Sequence, residues 1–166
     1  CKAVMSNKGS SGVDWMKVEE LPKFIEEHGE EITNRIRQRK YKPLPVRRVE
    51  IPEPNGKTRP LGIPTIMDRM IQQCILQVLE PICEAKFYNH SYGFRPNRSA
   101  HNAVGRAMYL ANKAKQEYVV DIDIKGFFDN VNHSKLLKQM WSMRIQDKNL
   151  ICIIGKMLKA PIEGIG

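Results

Sequence analysis

Three carboxylates fall close together in "YVVDIDIKGFFDNVNH", residues 118–133. Asp121 and Asp123 alternate with Val120, Ile122 and Ile124, and Asp129 follows two phenylalanines. Alternation with period two places both acids on one face of a strand, about 7 Å apart at their Cα atoms, and the aliphatics on the other. Burying two unpaired carboxylates costs several kcal/mol each, so the acid face must be wet, paired with cations or turned toward a metal. An exposed sheet face salt-bridged to Lys or Arg is the plainer account. A Mg²⁺-type site is the sharper one: hard cations take carboxylate and backbone carbonyl oxygens, and keep waters or substrate phosphates as further ligands. Carboxylates beside a phosphate-binding surface fit two-metal phosphoryl transfer, which needs more acids than one strand supplies.

A phosphate-binding surface is legible in the charge. The chain carries +9 over 166 residues, with 42% hydrophobic and 27% charged residues. That composition can build a core and argues against wholesale disorder. Residues 13–34 are acidic, with Asp14, Glu19, Glu20, Glu26, Glu27, Glu30 and Glu31 against Lys17 and Lys23. Residues 35–59 reverse this, with Arg35, Arg37, Arg39, Lys40, Lys42, Arg47, Arg48, Lys57 and Arg59 against Glu50 and Glu53. One basic block is the footprint expected of a polyanion partner. No apolar run approaches the roughly 20 residues of a membrane helix, so no membrane partner and a cytoplasmic location are expected. Cys1, Cys74, Cys83 and Cys152 form no C-x-x-C pair and read as buried thiols of a reducing compartment. The chain begins "CKAVMSNKGS", without an initiator Met or a signal peptide, and reads as an excerpt or a processed chain.

The elements that must position these residues follow from periodicity. A Gly/Ser loop (7–14) leads into a helical stripe of Val18, Leu21, Phe24 and Ile25, with Pro22 acceptable in a first turn. A second helix is expected after "HGE", carrying Ile32 and Ile36 and ending near Arg39. Residues 41–64 read as a prolined, basic hairpin around Pro-Asn-Gly. Thr65 caps a long core helix, 65–86, expected to break or kink before Pro81. Ser99 opens a helix to about Ala114, residues 117–124 form the acid-bearing strand, and helices follow at 133–141 and 147–158. Trp15 and Trp141 read as core or half-buried anchors.

Several segments together carry a family resemblance. "DIDIKGFFDNVNH" resembles the first palm motif of reverse transcriptases, in particular those encoded by group II introns. "NKGSSGVD" is similar to their N-terminal loop, and "YKPLPVRRVEIPEPNGKTRPLGIPTIMDRMIQQ" to their fingers hairpin and following helix. "SYGFRPNRSAH" resembles a segment that separates this group from CRISPR-associated and retron-like relatives. The four motifs stand in order over essentially the whole chain.

The resemblance implies an α/β architecture. Residues 1–115 would be a helix-rich fingers region with the basic hairpin, and 116–166 the start of the palm, with a central strand carrying Asp121 and Asp123. It implies RNA-directed DNA synthesis with Mg²⁺, on template RNA, a DNA primer and dNTP, together with binding of group II intron RNA and a maturase role in splicing. Asp123 matches the catalytic metal ligand, and the Ile124 carbonyl would be a further ligand. One of Phe127 and Phe128 would stand under the nucleotide sugar. Lys57 and Arg59 match the cations that close on the triphosphate, Arg59 being better suited by its bidentate geometry. Arg95, Arg98 and His101 belong to a segment that holds template or primer. Arg35, Arg39, Lys40, Lys42, Arg47 and Arg48 complete the expected nucleic-acid surface.

One departure is plain. The family's Tyr-x-Asp-Asp pair and Pro-Gln-Gly motif are absent from these residues, although "GIG" at 164–166 is where the latter would follow. The chain is therefore expected to be the first part of a longer enzyme and inactive in polymerisation alone. The rival readings are a non-catalytic RNA-binding module acting as a splicing cofactor, and a self-associating interaction domain that would form a homodimer.

Overall fold

The computed structural model describes residues 1–54 and 56–164. Asn55 of the expected turn, and Ile165 and Gly166 of the "GIG" stretch, lie outside the described residues. The chain divides into two compact units, Cys1–Leu76 with Val131–Gly166, and Gln77–Asn130. Among the described residues, no helix is long and apolar enough to cross a membrane.

The first unit is built from helices α1 (Lys2–Ser6), α2 (Leu21–Arg37), most of α3 (Ile66–Glu84), α5 (His133–Ser142) and α6 (Lys148–Leu158), and a hairpin of β1 (Arg47–Pro52) and β2 (Thr58–Ile63). A 3-10 turn, Val18–Glu20, leads into α2, and Pro22 sits in its first turn, where a missing N–H costs nothing. The two helices expected before residue 40 are one. Leu21, Ile25, Ile32 and Ile36 continue a single apolar stripe through Gly29, and its packing outweighs the ~1 kcal/mol cost of the glycine. Two clusters form the core. Val4, Val18, Leu21 and Ile66 make one, and Ile32, Tyr41, Ile71 and Ile153 the other. Helix α6 thus packs with residues from the first half of the chain.

The hairpin is antiparallel, with Arg47 opposite Ile63, Val49 opposite Leu61 and Ile51 opposite Arg59. Its root is fixed by a buried polar network. The Asp68 carboxylate, 1% exposed, accepts the Tyr41 hydroxyl at 2.8 Å, the Leu44 N–H at 3.1 Å and the Thr65 hydroxyl at 2.7 Å. Thr65 in turn accepts the Asp68 N–H at 3.1 Å, the helix cap that the sequence suggests. Burial and the neighbouring Asp68 charge push the Tyr41 phenol well above its ordinary range, so it stays a donor. Lys156 of α6 donates to the Tyr41 carbonyl at 2.8 Å and to that of Arg39. Val46 forms a parallel bridge with Ile162.

The second unit holds the end of α3, helix α4 (Ala100–Asn112), the loop between them and residues 113–130. Helix α3 continues to Glu84 with Pro81 inside it, so of the expected break or kink it shows no break. The expected strand over 117–124 is absent: these residues join no ladder, and Val120 and Ile122 are each 81% exposed. An isolated strand has no partner for its N–H and C=O groups and buries neither face, so local alternation alone cannot hold it. Cys1 and Cys74, read as buried, are exposed, while Cys83 and Cys152 are half-buried. Trp15, expected as an anchor, is 69% exposed.

Candidate active site and nucleic-acid interface

The acid-bearing segment ends in a tight loop. Gly126 has φ +60°, a left-handed conformation natural to glycine. Its carbonyl accepts the Asn130 N–H at 3.1 Å and the Asn130 side-chain amide at 2.8 Å. This loop, with a 3-10 turn over Phe128–Asn130, presents Phe127 and Phe128 side by side, edge to face, with centroids 5.4 Å apart and both rings exposed. Asp121, Asp123 and Asp129 are exposed. Among the described residues no hydrogen bond or ion pair engages the Asp123 carboxylate, so it is neither sealed in apolar packing nor clamped by a guanidinium.

Hard carboxylate and carbonyl oxygens at Asp121, Asp123 and Ile124 suit a divalent cation in kind. They do not suffice in number: no group of three His, Cys, Asp or Glu side chains placed to hold a metal occurs among the described residues.

In the first unit the hairpin carries Arg59 exposed on β2 and Lys57 at the strand entry. The Lys57 carbonyl accepts the Glu53 N–H at 2.7 Å, closing the turn, and Gly56 there has φ +79°. Arg48 pairs with Glu50 at 2.7 Å along the same face of β1. Arg47 stacks its guanidinium on Trp15, 4.8 Å from the ring centroid. Arg35 pairs with Glu31 at 3.7 Å, and Arg39 donates to Asn149 at 2.7 Å. Lys40 and Lys42 are exposed. The basic block is thus largely solvent-facing, with Arg35, Arg39, Arg47 and Arg48 each steadied by a neighbour.

The loop from 85 to 99 in the second unit contains a different kind of arginine. Arg95 directs Nε and Nη2 to Glu84, the shortest contact being 2.6 Å, and Nη1 to the carbonyls of Tyr88 and Ser91. Its side chain is 5% exposed. The hydrogen bonds from Arg95 hold the Glu84 carboxyl below the usual range, and Glu84 raises Arg95 in return. Arg95 therefore shapes the loop from inside, with none of its three nitrogens left uncommitted to face a ligand. Arg98 lies 5.7 Å over the Tyr92 ring, and His101 is exposed on α4, whose N-terminus is capped by Ser99. Tyr88 and Phe94 stand exposed on the same loop.

Two signals were within reach of sequence reasoning and passed unused. No acid occurs between Glu84 and Glu117, while Lys86, Arg95, Arg98, Arg106, Lys113 and Lys115 do. And "TIMDRMIQQ", read only as the start of a core helix, contains Asp68 of the root network and Arg69, whose guanidinium is pinned under the N-terminal loop.

Residues 51–165 match the family described as Reverse transcriptase (RNA-dependent DNA polymerase). The chain is 36% identical to Protein YkfC of Escherichia coli (strain K12), over 99% of this chain and 44% of that protein. It is 38% identical to the Group II intron-encoded protein LtrA of Lactococcus lactis subsp. cremoris, over 93% of this chain and 25% of that one. With the Putative COX1/OXI3 intron 1 protein of Saccharomyces cerevisiae it shares 30% identity over 78% of its own length and 15% of the relative's. The chain spans less than half the length of each of these relatives.

Proposed function

The chain belongs to the reverse transcriptase family, as a domain homologous to those of group II intron-encoded proteins, and on that premise we propose that it serves RNA-templated DNA synthesis and intron binding in its parent protein. The observation that carries this reading is the uncommitted, solvent-facing Asp123 carboxylate in "DIDIKGFF". Structural salt bridging would have engaged it; a metal ligand must be left open.

Reverse transcriptases work with divalent metal ions. In the parent protein Asp123 and the Ile124 carbonyl would hold magnesium, which when bound supplies Lewis-acid polarisation of a phosphoryl oxygen. The remaining roles belong to the chain's own residues. Arg59, with a planar fork of donors, and Lys57 orient the dNTP triphosphate and neutralise its charge. One of Phe127 and Phe128 crowds the sugar at its 2′ position, favouring a deoxynucleotide. Arg35, Arg39, Lys40, Lys42, Arg47 and Arg48 hold the backbone of intron or template RNA, and Arg98 and His101 guide the template–primer strands. Arg95 acts indirectly, through the loop it shapes. Residues 1–115 serve as fingers and 116–166 open the palm, in a cytoplasmic protein. With too few carboxylates for a two-metal site among the described residues, the 166-residue chain alone should not extend a primer.

Asp123→Ala in the full-length parent should lower primer extension on an RNA template by three or more powers of ten, the scale of several kcal/mol of lost charge stabilisation. RNA affinity should be unchanged. If extension survives the substitution, the chain is a non-catalytic RNA-binding cofactor and Asp123 a surface acid.

A further inference from the structure

Arg69 stands in the first turns of α3, and its guanidinium is fixed from three directions. Its Nη2 donates to the Ser10 carbonyl. Its Nη1 lies so close to Gly9 that a Cβ there would sit 2.3 Å away. Its Nε is enclosed without a hydrogen-bond partner. Among the described residues no carboxylate pairs with it. Burial pushes its pKa below the usual arginine range, with only the Asp14 charge acting the other way. A guanidinium partly withdrawn from water, held rigid and paired directly with no carboxylate is a preorganised anion site.

Beside it opens a recess of about 260 Å³, lined by Val4, Asn7, Arg69, Gln72, Gln73 and Leu76. The lining has one cation, three amides, two aliphatics and no acid. No hydrogen bond among the described residues occupies the side-chain amides of Asn7 and Gln73, so both can donate. The volume is below the roughly 300–1,000 Å³ of sites that enclose whole small ligands. It suits one charged group of a larger molecule.

We propose that this recess between α1 and α3 binds a backbone phosphate of single-stranded RNA, Arg69 supplying the charge and Asn7 and Gln73 the neutral donors. The proposal rests on the RNA-binding reading above and adds to it a contact outside the basic block of residues 35–59. The amides carry no sequence code when they face phosphate, so the contact positions the strand without reading bases.

Gln73→Glu tests it, placing a carboxylate in the recess where it competes with phosphate for Arg69 without disturbing the core. Affinity of the 166-residue chain for fluorescent oligouridylate and oligocytidylate is measured against salt, with Arg48→Ala of the hairpin as a comparator. The expected result is a loss of about five-fold for both oligomers at low salt, with the log–log slope shallower by about 0.7, one phosphate's worth. Gly9→Ala, which displaces Arg69 and spares the amides, should do the same. Unchanged affinity and slope in Gln73→Glu, with Arg48→Ala still weakening binding, overturn the recess and leave the basic surface standing. Absence of salt-dependent binding by the unaltered chain overturns both. Inorganic phosphate, followed through the side-chain amide signals of Asn7 and Gln73, separates a free-anion site. Shifts with phosphate but an intact RNA slope in Gln73→Glu overturn the RNA assignment.

Discussion

Arg95 and Glu84 lie eleven positions apart, and their pairing decides what the loop between them can do. The resemblance of "SYGFRPNRSAH" groups Arg95 with Arg98 and His101 as a nucleic-acid contact; nothing local says that a carboxylate at the end of α3 turns back to meet it. Asp123 is the opposite case, since its alternation with apolar residues and its nearby phenylalanines were visible in the sequence. The Glu84–Arg95 pair makes the loop sensitive to acid. Glu84 titrates below its unfolded value of about 4.3, so its contribution is present above that pH and is lost as pH falls through the depressed folded value. Amide protection in residues 85–98, taken relative to intrinsic exchange at each pH, should therefore fall below about pH 4 more than in α2, while Glu84→Gln should show the loosened loop already at neutral pH. Equal protection at neutral pH and below about pH 4 in the unaltered chain would refute the clamp.

At the scale of elements, the helices with local stop and start signals were legible. Ser99 accepts the Asn102 N–H, Asn132 that of Lys135, and Asp147 those of Asn149 and Leu150, so α4, α5 and α6 begin where a capping side chain directs them. What failed was whatever depends on distant partners. The strand over 117–124 needs lateral neighbours, and the unbroken α2 needs a core to carry Gly29. The hairpin root is of the same kind, because Tyr41, Thr65 and Asp68 meet only once the 38–45 linker folds onto α3. Tyr41→Phe removes a hydrogen bond to a buried carboxylate and should cost about 1.5–3 kcal/mol in urea denaturation. Asp68→Ala should cost more, because it strands the Tyr41, Thr65 and Leu44 donors together. A Tyr41→Phe chain as stable as the original would show that the network contributes nothing to the hairpin's anchorage.

For the whole molecule, burial is uneven. The core clusters belong to the first unit, and Arg95 is the single buried residue among the described residues of Gln77–Asn130. Local stability follows buried apolar contact, so amide protection should be about a hundred-fold lower in α4 than in α6 of the 166-residue chain. Comparable protection in the two helices would contradict this distribution. The apolar faces left open by Val104, Met108, Val119, Val120 and Ile122 account for the expected difference.

The first unit is also discontinuous, since residues 1–76 are completed by residues from 131 onward. On a ribosome the Asp68 carboxylate and the linker it grips emerge early, but Lys156, which donates to the Arg39 and Tyr41 carbonyls, and Ile162, which bridges to Val46, arrive some ninety residues after Asp68. Synthesis at roughly 5–20 residues per second leaves the nascent hairpin incompletely braced for several seconds. Its long-range contacts close only after the intervening unit has left the tunnel, and a growing polypeptide in that interval is a natural client for a chaperone.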